Sequence, residues 1–552
     1  MSSNKLRIIP LGGLGEVGKN MMVYEYGGQG LIVDTGIMFP ENDMLGIDYI
    51  IPDFQYLLSR EDLDILAILI THGHEDHTGA IAHVLQHFPV PVYATRLTAG
   101  LLEFKIKQAK LRDQVKLHVF NAGDVLRLGP FTVETFHVCH SIPDCVGLGI
   151  TTPAGLVIHT GDFKFDHTPV DSWPTDFAKL ADFSGRGVLA LLSDSTNADK
   201  PGWTPSESVI DEAFNRVFRD APGRIIVATF ASLISRIEQV ARAAQRYGRK
   251  MAVTGTSMAD NIKMASKLGY LKLSGDIFIP LDQVNRLPPN KVVIMTTGTQ
   301  GEPSSVLSRL ATGTHRQLEI QPGDTVIMSA HPIPGNEETV HRTVNRLFQR
   351  GANVIWDAIE AVHVSGHASQ EEQKLMLNLV RPRYFIPIHG ELRHLKMHAR
   401  LAQQVGIDPE CIAVVENGTL IEFDGGEMTI GERVPGGYVF VDGAGVGDIG
   451  PAVMRDREVL ASDGFVFVIL TMDGATGHLL NEPELVSRGF VYLKDADLLF
   501  TQARAKIQEV WAGMNGVTGQ RKRVEQVESA LKALFYQETK RRPMIFVHIN
   551  TV

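Results

Sequence analysis

Short runs of apolar residues recur along this chain, and most of them end in a cluster of polar residues or glycine. The run at 63–70 is followed by a histidine-rich cluster, and the run at 384–388 is followed directly by His389. Runs of this length without strict alternation predict buried strands of an α/β protein. Others lie at 156–158, 188–192, 225–228, 292–295 and 326–328. Because the carboxyl ends of such strands meet at one edge of a sheet, we expect the chemistry of the protein to be collected there.

The spacing of these runs divides the chain into regions. Residues 1–207 are rich in predicted strands, whereas 208–355 alternate strand and helix more regularly, which indicates an inserted α/β subdomain similar to nucleotide-binding domains. A glycine-rich stretch predicts a linker or a small β region at 425–464. Residues 465–552 are predicted to form a small α/β C-terminal domain. A chain of 552 residues is too long for one core, so two or three domains are expected.

The composition narrows the class of function. Hydrophobic residues make up 44% and charged residues 21% of the chain, as in ordinary globular proteins. The formal net charge of −10 argues against a surface that is basic all over. A nucleic-acid substrate would therefore need a local positive cleft or bound metal. The three cysteines, Cys139, Cys145 and Cys411, lack zinc-finger spacing and favour a reducing, cytoplasmic compartment. Neither a signal peptide nor a membrane segment is predicted.

The strongest local signal is the pattern H-x-H-x-D-H, formed by His72, His74, Asp76 and His77. Two histidines two residues apart point the same way while the chain is extended, and the helical pattern that follows places Asp76 and His77 at a helix entry. Three imidazoles and a carboxylate suit Zn²⁺ or Mn²⁺ and are too many for one open catalytic ion. Two adjacent ions are therefore expected. The alternative is a solvated loop that happens to be rich in histidine.

Further candidate ligands stand where other predicted strands end. His140 follows the strand at 131–138, Asp162 follows the one at 156–160, and His389 follows the one at 384–388. A carboxylate is the usual bridge between two cations, which makes Asp162 the candidate for that position. Taken singly, His140 is explained equally well as a loop residue and Asp162 as a helix cap. Together with the histidine motif they predict a dinuclear site.

These candidate ligands match the metallo-β-lactamase fold in order and spacing. The segments HVSGHAS at 363–369 and YFIPIHGE at 384–391 resemble the β-CASP nuclease branch of that superfamily. Within this branch, the likeness to the ribonuclease J family extends over nearly the full chain. The resemblance implies an α/β protein: an αββα metallo-β-lactamase sandwich of residues 1–207 and 356–424, an inserted β-CASP α/β domain, and a small α/β C-terminal domain.

The resemblance also implies how the metals are held. Asp34 and Asp194 would orient the ligands by contacting them without binding the ions themselves, and Asp194 stands at the start of the β-CASP region. The implied ligands are His72, His74 and His140 for one ion, Asp76, His77 and His389 for the other, and Asp162 as the bridge. A peripheral Ca²⁺ or Mg²⁺ would be held by Asp48 and Asp442.

Substrate contacts follow from the same resemblance. Ser232 and Arg236, at the start of a predicted helix, would contribute to a pocket for the 5′ phosphate of RNA. Ordinary helix capping explains that segment equally well. The residues expected to contact the scissile phosphate are His363, Val364, Ser365, Gly366, His367 and Ser369.

The expected reaction is hydrolysis of RNA phosphodiester bonds. Two ions, most often Zn²⁺ and alternatively Mn²⁺, would ionise a water molecule that attacks phosphorus in line, with Asp76, Asp162 and His367 as catalytic residues. A structural role in its loop is the alternative for His367. The resemblance implies a 5′-to-3′ exonuclease on 5′-monophosphorylated single strands, with endonuclease activity in some settings. It also implies roles in rRNA processing and mRNA decay, a homodimer or higher oligomer, and membership of an RNA-degradation complex.

Three other functions stay open. A DNA-repair nuclease of the same branch would keep the metals and change the substrate. A small-molecule thioester or lactam hydrolase is disfavoured because it needs no insertion at 208–355. A metal-bearing scaffold without catalysis is disfavoured by the complete ligand set.

A glycine pattern near the N-terminus suggests a different cofactor. Gly13, Gly15 and Gly18 formally match the dinucleotide-binding pattern G-x-G-x-x-G. The residues that follow, 20–26, predict a strand and not the helix that such a site requires. We therefore expect a tight turn between strands and no NAD.

Overall fold

The fold is described from a computed structural model. It describes residues 5–41, 43–273, 275–302, 305–332, 336–357, 359–491, 493–514 and 519–552. The chain divides into two compact units, described separately below. The first unit comprises Met1–Glu41 and Tyr49–Val439, and the second comprises Asn42–Asp48 and Phe440–Val552.

Two sheets of the first unit share one core, to which Tyr24 and Leu31 of one sheet and Leu148 and Leu192 of the other contribute. Helices pack on the far side of the second sheet, through Phe183 for example. The order of the eight-stranded sheet is Glu427–Arg433, Thr419–Asp424, Leu6–Gly12, Met21–Tyr26, Gln29–Val33, Asp64–Leu69, Val92–Thr95 and Leu117–Phe120. The order of the six-stranded sheet is Pro382–Ile388, Val188–Asp194, Gly155–His159, Val146–Thr152, Phe131–His137 and Val125–Leu128.

The helices around these sheets are mostly short. They are Gln55–Leu58, Glu75–Thr78, Ile81–His87, Arg96–Gln108, Phe177–Arg186, Gln370–Val380 and Leu392–Gln404, with a 3-10 turn at Pro409–Cys411. A further strand lies at Tyr49–Pro52, and Leu14–Gly15 pairs in parallel with Gly390–Glu391. Paired sheets with outer helices confirm the predicted metallo-β-lactamase sandwich. The residues after Gly18 form a strand and not a helix, which confirms that the glycine pattern is a turn.

The insertion contains a parallel five-stranded sheet. Its order is Lys250–Val253, Val292–Thr296, Ile225–Ala228, Thr325–Met328 and Asn353–Ile355. Its helices are Val209–Asp220, Ile234–Arg246, Thr256–Leu268, Val306–Thr312 and Glu337–Gln349, with 3-10 turns at Gly275–Ile277, Leu281–Arg286 and Pro289–Lys291. The predicted alternation of strand and helix is confirmed. Strands are added on both sides of the central strand Ile225–Ala228, which makes this strand a topological switch point. A crevice is therefore expected at the carboxyl ends of the central strands.

The second unit is a small α/β domain around a mixed three-stranded sheet. The order of that sheet is Glu484–Arg488, Phe465–Met472 and Met544–Thr551. The helices Leu493–Ala512 and Gln520–Thr539 enclose its core through Ile507, Leu531 and neighbouring apolar residues.

The stretch 425–464, predicted as a linker or a small β region, forms β structure and one helix. It contains the strands Glu427–Arg433, Tyr438–Asp442 and Gly445–Val446 and the helix Pro451–Asp463. The exact domain boundaries stay a prediction. Along the described part of the chain, no helix combines the length and the apolar character that crossing a membrane requires.

Candidate metal centre

The histidine motif is held in shape by Asp34. This aspartate has a left-handed backbone conformation, with φ of 62°, at the end of the strand Gln29–Val33. Its Oδ1 accepts the backbone N–H of Thr71 at 2.8 Å, and its Oδ2 accepts the Thr71 hydroxyl at 2.8 Å. The same Oδ2 lies 2.7 Å from Nδ1 of His77. One buried carboxylate therefore fixes both ends of the motif.

Three histidines converge on one point. Nδ1 of His74 lies 3.2 Å from Nε2 of His72 and 3.1 Å from Nε2 of His140. Tetrahedral coordination with bonds of about 2.0–2.1 Å puts two ligand nitrogens about 3.3 Å apart. The spacing of the three nitrogens fits one divalent ion.

Four other side chains form an adjacent group of ligand atoms: Asp76, His77, Asp162 and His389. Nε2 of His77 lies 3.2 Å from Oδ2 of Asp162, and Nε2 of His389 lies 3.4 Å from Oδ2 of Asp76. Oδ2 of Asp162 also lies 3.7 Å from Nε2 of both His72 and His140. Asp162 therefore stands between the two groups, where a bridging ligand is required.

Hydrogen bonds from outside the centre set the orientation of the rings. Nδ1 of His77 faces Asp34, and Nδ1 of His140 donates to the carbonyl of Gly366 at 2.8 Å. Each ring then directs Nε2 at the centre, as in metal sites whose histidines donate their other N–H to a carboxylate or carbonyl. A Cβ at position 366 would lie 2.6 Å from the His140 ring, so this close approach requires glycine.

The electrostatics of the two groups differ. Burial lowers the pKa of His74 to about 4 and also lowers the pKa values of His72 and His140, which favours the neutral imidazoles that bind metal. Burial disfavours the charged form of His389 as well, but the carboxylates of Asp162, Asp194 and Asp76 together outweigh burial and raise the pKa of His389. Burial would raise the pKa of Asp162, whereas His389 and His77 lower it strongly.

The donor set fits two divalent ions. Nε2 of His389 is buried and makes no hydrogen bond to any residue that the structure describes, as expected of an atom awaiting a ligand. Imidazole and carboxylate together suit Zn²⁺ and Mn²⁺. The seven side chains are spread over positions 72 to 389 of the sequence, yet all of them face one centre.

His367 lies beside this centre on the loop 363–369. Its Nδ1 donates to Oδ2 of Asp194 at 2.8 Å and lies 3.9 Å from Oδ2 of Asp162. Burial opposes its charged form, but the carboxylates of Asp194 and Asp162 together outweigh burial and raise the pKa of His367. Asp194 therefore orients His367. The other oxygen of Asp194, Oδ1, lies 3.5 Å from Nδ1 of His389.

The loop is fixed by residues that sequence reasoning missed. Asn197 and Thr204 donate to the carbonyl of His367 at 3.0 and 2.7 Å, and the buried Lys164 donates to the carbonyl of Ser365 at 3.3 Å. Glu372 accepts the backbone N–H groups of Phe165, Thr204 and Ser369 at 2.7–2.9 Å. The pattern S-x-x-E at 369–372 is a capping box that the sequence does display. Nothing in the sequence pattern indicates the long-range contacts of Lys164.

The other residues expected to contact phosphate differ in accessibility. His363, Ser365 and His367 are half-buried, whereas Val364 and Ser369 are buried. Ser232 is half-buried just before the helix Ile234–Arg246, whose N-cap is Leu233.

Arg236, a predicted contributor to the 5′-phosphate pocket, is buried and paired inside the protein. Its side chain is 2% exposed, and Nη2 pairs with Glu207 at 2.8 Å. Nη1 donates to the carbonyl of Val362 at 2.9 Å and to the Ser329 hydroxyl, and Nε donates to Gln239. The guanidinium is therefore committed to partners inside the protein, and its contribution to a 5′-phosphate pocket stays a prediction.

Asp48 and Asp442 belong to the second unit. Oδ2 of Asp48 accepts the backbone N–H of Gly443 at 2.8 Å, and Oδ2 of Asp442 accepts from Arg457 at 2.5 Å. Among the described residues, neither aspartate belongs to a group with metal-ligand spacing. A peripheral cation there stays a prediction, and the guanidinium of Arg457 opposes it.

Four family models match successive parts of the chain. The metallo-β-lactamase superfamily matches residues 14–197, and the ribonuclease J β-CASP domain matches 222–347. The Zn-dependent metallo-hydrolase RNA specificity domain matches 353–412, and the ribonuclease J C-terminal domain matches 452–552. These matches cover both halves of the sandwich, the insertion and the second unit. They show a protein that binds divalent metal.

Curated relatives match along the whole chain. Ribonuclease J2 of Bacillus subtilis is 42% identical over 100% of this chain and 99% of its own length. Ribonuclease J 1 of Streptococcus pyogenes is 41% identical over 100% and 98%, and ribonuclease J of Synechocystis is 42% identical over 99% and 87%. A solved Enterococcus faecalis protein of unknown function shares the fold, with a TM-score of 0.55, 16% identity, and 76% of this chain and 100% of that one covered. The chain belongs to the ribonuclease J family.

Proposed function

We propose that this protein is a two-metal ribonuclease. His72, His74 and His140 would hold one ion, Asp76, His77 and His389 the other, and Asp162 would be shared between them. The observation that carries the proposal is the position of Asp162 Oδ2, which lies 3.2–3.7 Å from ligand nitrogens of both groups. Zn²⁺ is the favoured metal, with Mn²⁺ as the alternative, because both accept this mixture of imidazole and carboxylate.

The residues of the chain divide the work of hydrolysis. When bound, the two ions supply Lewis-acid activation of water and neutralise charge on the phosphate. Asp34 and the carbonyl of Gly366 hold the rings of His77 and His140 in place. His367, with Nδ1–H donated to Asp194, presents Nε2 as the atom that donates a proton or a hydrogen bond to a phosphate oxygen or to the leaving oxygen.

The proposed substrate is single-stranded RNA with a 5′ monophosphate, degraded from the 5′ end, with endonuclease cleavage in some settings. The insertion supports this proposal. The carboxyl edge of its parallel sheet carries Ser232, a candidate for the 5′-phosphate pocket. At the same edge the Ser329 hydroxyl donates to the carbonyl of Val362, which directly precedes the loop 363–369. His363 and Ser365 are half-buried on the adjoining loop. Turnover of rRNA precursors and mRNA is the corresponding biological role.

Location and assembly belong to the same proposal. The free cysteines Cys139, Cys145 and Cys411 favour a reducing compartment, and therefore the cytoplasm. Family membership favours a homodimer or higher oligomer, and association with an RNA-degradation complex.

Matched oligonucleotides test the proposed function. The metal-loaded protein is given RNA and DNA of one sequence, each with a 5′ monophosphate or a 5′ hydroxyl, and products are resolved over time. We expect mononucleotides released from the 5′ end of RNA, fastest with the monophosphate, and two metal ions per chain by elemental analysis. Preferred cleavage of DNA would support the repair-nuclease alternative. An absence of turnover with Zn²⁺ and with Mn²⁺ would support a scaffold.

A further inference from the structure

The segment 197–204 runs along the edge of the candidate site and carries an exposed tryptophan and an exposed lysine. Trp203 is 50% exposed, and the side chain of Lys200, whose Nζ lies 3.9 Å from Oδ1 of Asp199, is 60% exposed. A half-exposed tryptophan next to a cation is a combination that single-stranded nucleic acid binds, through base stacking and phosphate contact. The function proposed above uses neither residue.

The backbone of this segment is held rigidly. The carbonyls of Lys200 and Gly202 accept the backbone N–H groups of Gln370 and Glu371 at 3.0 and 3.1 Å. The side chain of Gln370 also donates to the carbonyl of Ala198 at 2.9 Å. The backbone of the segment is therefore anchored on the first turn of the helix Gln370–Val380, which sets the positions from which the Lys200 and Trp203 side chains extend before a ligand arrives.

The segment is also hydrogen-bonded directly to the loop 363–369, called the catalytic loop below because it carries His367. Asn197, at one end, donates to the carbonyl of His367 and to the Ser365 hydroxyl at 3.0 and 2.8 Å. Thr204, at the other end, donates to the same His367 carbonyl at 2.7 Å. Because Trp203 directly precedes Thr204, the Cα atoms of the two residues are about 3.8 Å apart, and Thr204 contacts the catalytic loop. The indole lies beside the ring of His167, with 6.1 Å between the ring centroids. We expect an RNA strand cleaved beside His367 to pass within reach of the indole.

Lys200 extends the segment toward the insertion. A hydrogen bond with Asp357 raises the pKa of His331, and the nearby positive charge of Lys200 opposes that rise. His331 follows the strand Thr325–Met328, at the edge of the sheet where the crevice is expected. A protein with a net charge of −10 needs such local cations to hold a polyanion.

We propose that segment 197–204 is an RNA-binding rim, in which Trp203 stacks on a nucleobase next to the cleaved bond and Lys200 contacts a backbone phosphate. This inference rests on the proposed ribonuclease function and adds a binding site to it. Stacking on an aromatic ring depends little on which base is stacked, so the rim would bind RNA without selecting its sequence.

Steady-state cleavage by the metal-loaded full chain tests the rim. The substrate is a 5′-phosphorylated RNA decamer, and the competitor is an abasic ribose-phosphate decamer. For Trp203→Ala we expect the KM for RNA to rise about 5- to 150-fold, the range for loss of one stacked base, with the Ki of the abasic competitor unchanged. Trp203→Phe, which keeps an aromatic face, should restore most of the affinity. The matched control is Tyr536→Ala, an aromatic that is 43% exposed in the second unit.

Substitution of Lys200 should change binding in a different way from substitution of Trp203. For Lys200→Gln we expect weaker binding of both the RNA and the abasic decamer, and a slope of log KM against log salt that is smaller by about 0.7, the value for one phosphate contact on a single strand. An unchanged KM in Trp203→Ala, or equal losses for RNA and the abasic decamer, would overturn the stacking role. If the wild-type protein cleaves no RNA, the proposed function fails, whereas wild-type cleavage with an unaffected Trp203→Ala removes the rim alone.

Discussion

His367 has different neighbours from the seven side chains of the candidate metal centre, and the difference predicts a different phenotype. The histidines of the first ion face each other through ring nitrogens about 3 Å apart, whereas Nδ1 of His367 is committed to Asp194 at 2.8 Å. We therefore expect His367 to act on the substrate and not as a ligand of the ions.

Single substitutions separate the two roles. We expect His74→Ala and Asp162→Ala to abolish cleavage and to lower bound metal, because each removes a donor to an ion. We expect His367→Ala to lower kcat by about 10²–10⁴-fold, the usual contribution of a positioned proton donor, with metal content unchanged. The measurements are single-turnover cleavage rates and elemental analysis of the same preparations. Loss of metal from His367→Ala would refute the assignment.

A second histidine, away from the ions, makes stability depend on pH. His398 is fully buried, its Nδ1 lies 3.0 Å from the Ser195 hydroxyl, and burial lowers its pKa to about 3. The unfolded chain takes up this proton near pH 6.5, whereas the folded protein does so only near pH 3. The neutral histidine therefore contributes stability above pH 6.5, and that contribution falls as the pH drops from 6.5 towards 3.

His398→Gln isolates this effect. Glutamine keeps a polar group near Ser195 and does not titrate. We expect the wild-type advantage in free energy of unfolding over His398→Gln to shrink by about 1.4 kcal/mol for each pH unit below 6.5. Urea unfolding of both proteins at pH 7.5, 6.5 and 5.5 measures it. A difference that stays constant with pH would contradict the assignment.

At the scale of elements, buried charges connect the insertion to the loop 363–369. Arg236, on the helix Ile234–Arg246, pairs with Glu207 and holds the carbonyl of Val362, the residue before His363. Glu207 lies 3.6 Å from Nζ of Lys164, which holds the carbonyl of Ser365. Both charges of each pair are buried, so removal of one leaves an unpaired charge in the interior.

A double-mutant cycle tests this connection. We expect Glu207→Gln and Arg236→Gln each to cost about 3–5 kcal/mol of stability, and the double variant to cost clearly less than the sum. Thermal unfolding and denaturant titration measure the cycle. Arg219→Gln, which removes an exposed pair with Asp220, is the control and should change nothing measurable. Strictly additive losses would show that the two residues act independently.

The same pair shows where prediction from sequence stops. The strand-end pattern predicted that His72, Asp162 and His389 would meet. His72 follows a strand of the eight-stranded sheet, whereas Asp162 and His389 follow strands of the six-stranded sheet, and the ends of these strands lie together at one edge of the sandwich. Arg236 also stands close after a strand end, and from the pattern alone it resembled a phosphate ligand. Its partner Glu207 lies 29 positions earlier and outside any motif. Periodicity reports which elements form, but it does not report which charged side chains turn inward and pair.

At the scale of the molecule, all seven candidate ligands belong to the first compact unit and none to the second. Those ligands follow different strands of both sheets, so bound ions connect the two halves of the sandwich. Ions that bind only the folded state add about 2.7 kcal/mol of stability at a free concentration 100 times the dissociation constant. The second unit has its own core, built around Val466, Ile507 and Leu531.

Metal removal should therefore act on one unit. We expect a chelator to speed backbone hydrogen exchange around 71–78, 138–141, 160–163 and 386–391, while the strands Phe465–Met472 and Met544–Thr551 keep their protection. Exchange followed by mass spectrometry, with and without chelator and after Zn²⁺ is restored, resolves the two units in one experiment. Asp162→Ala gives the matched control, because its exchange near the ligands should already be fast and should not respond to the chelator. Equal loss of protection in both units would mean that the ions stabilise the chain globally, which contradicts their confinement to the first unit.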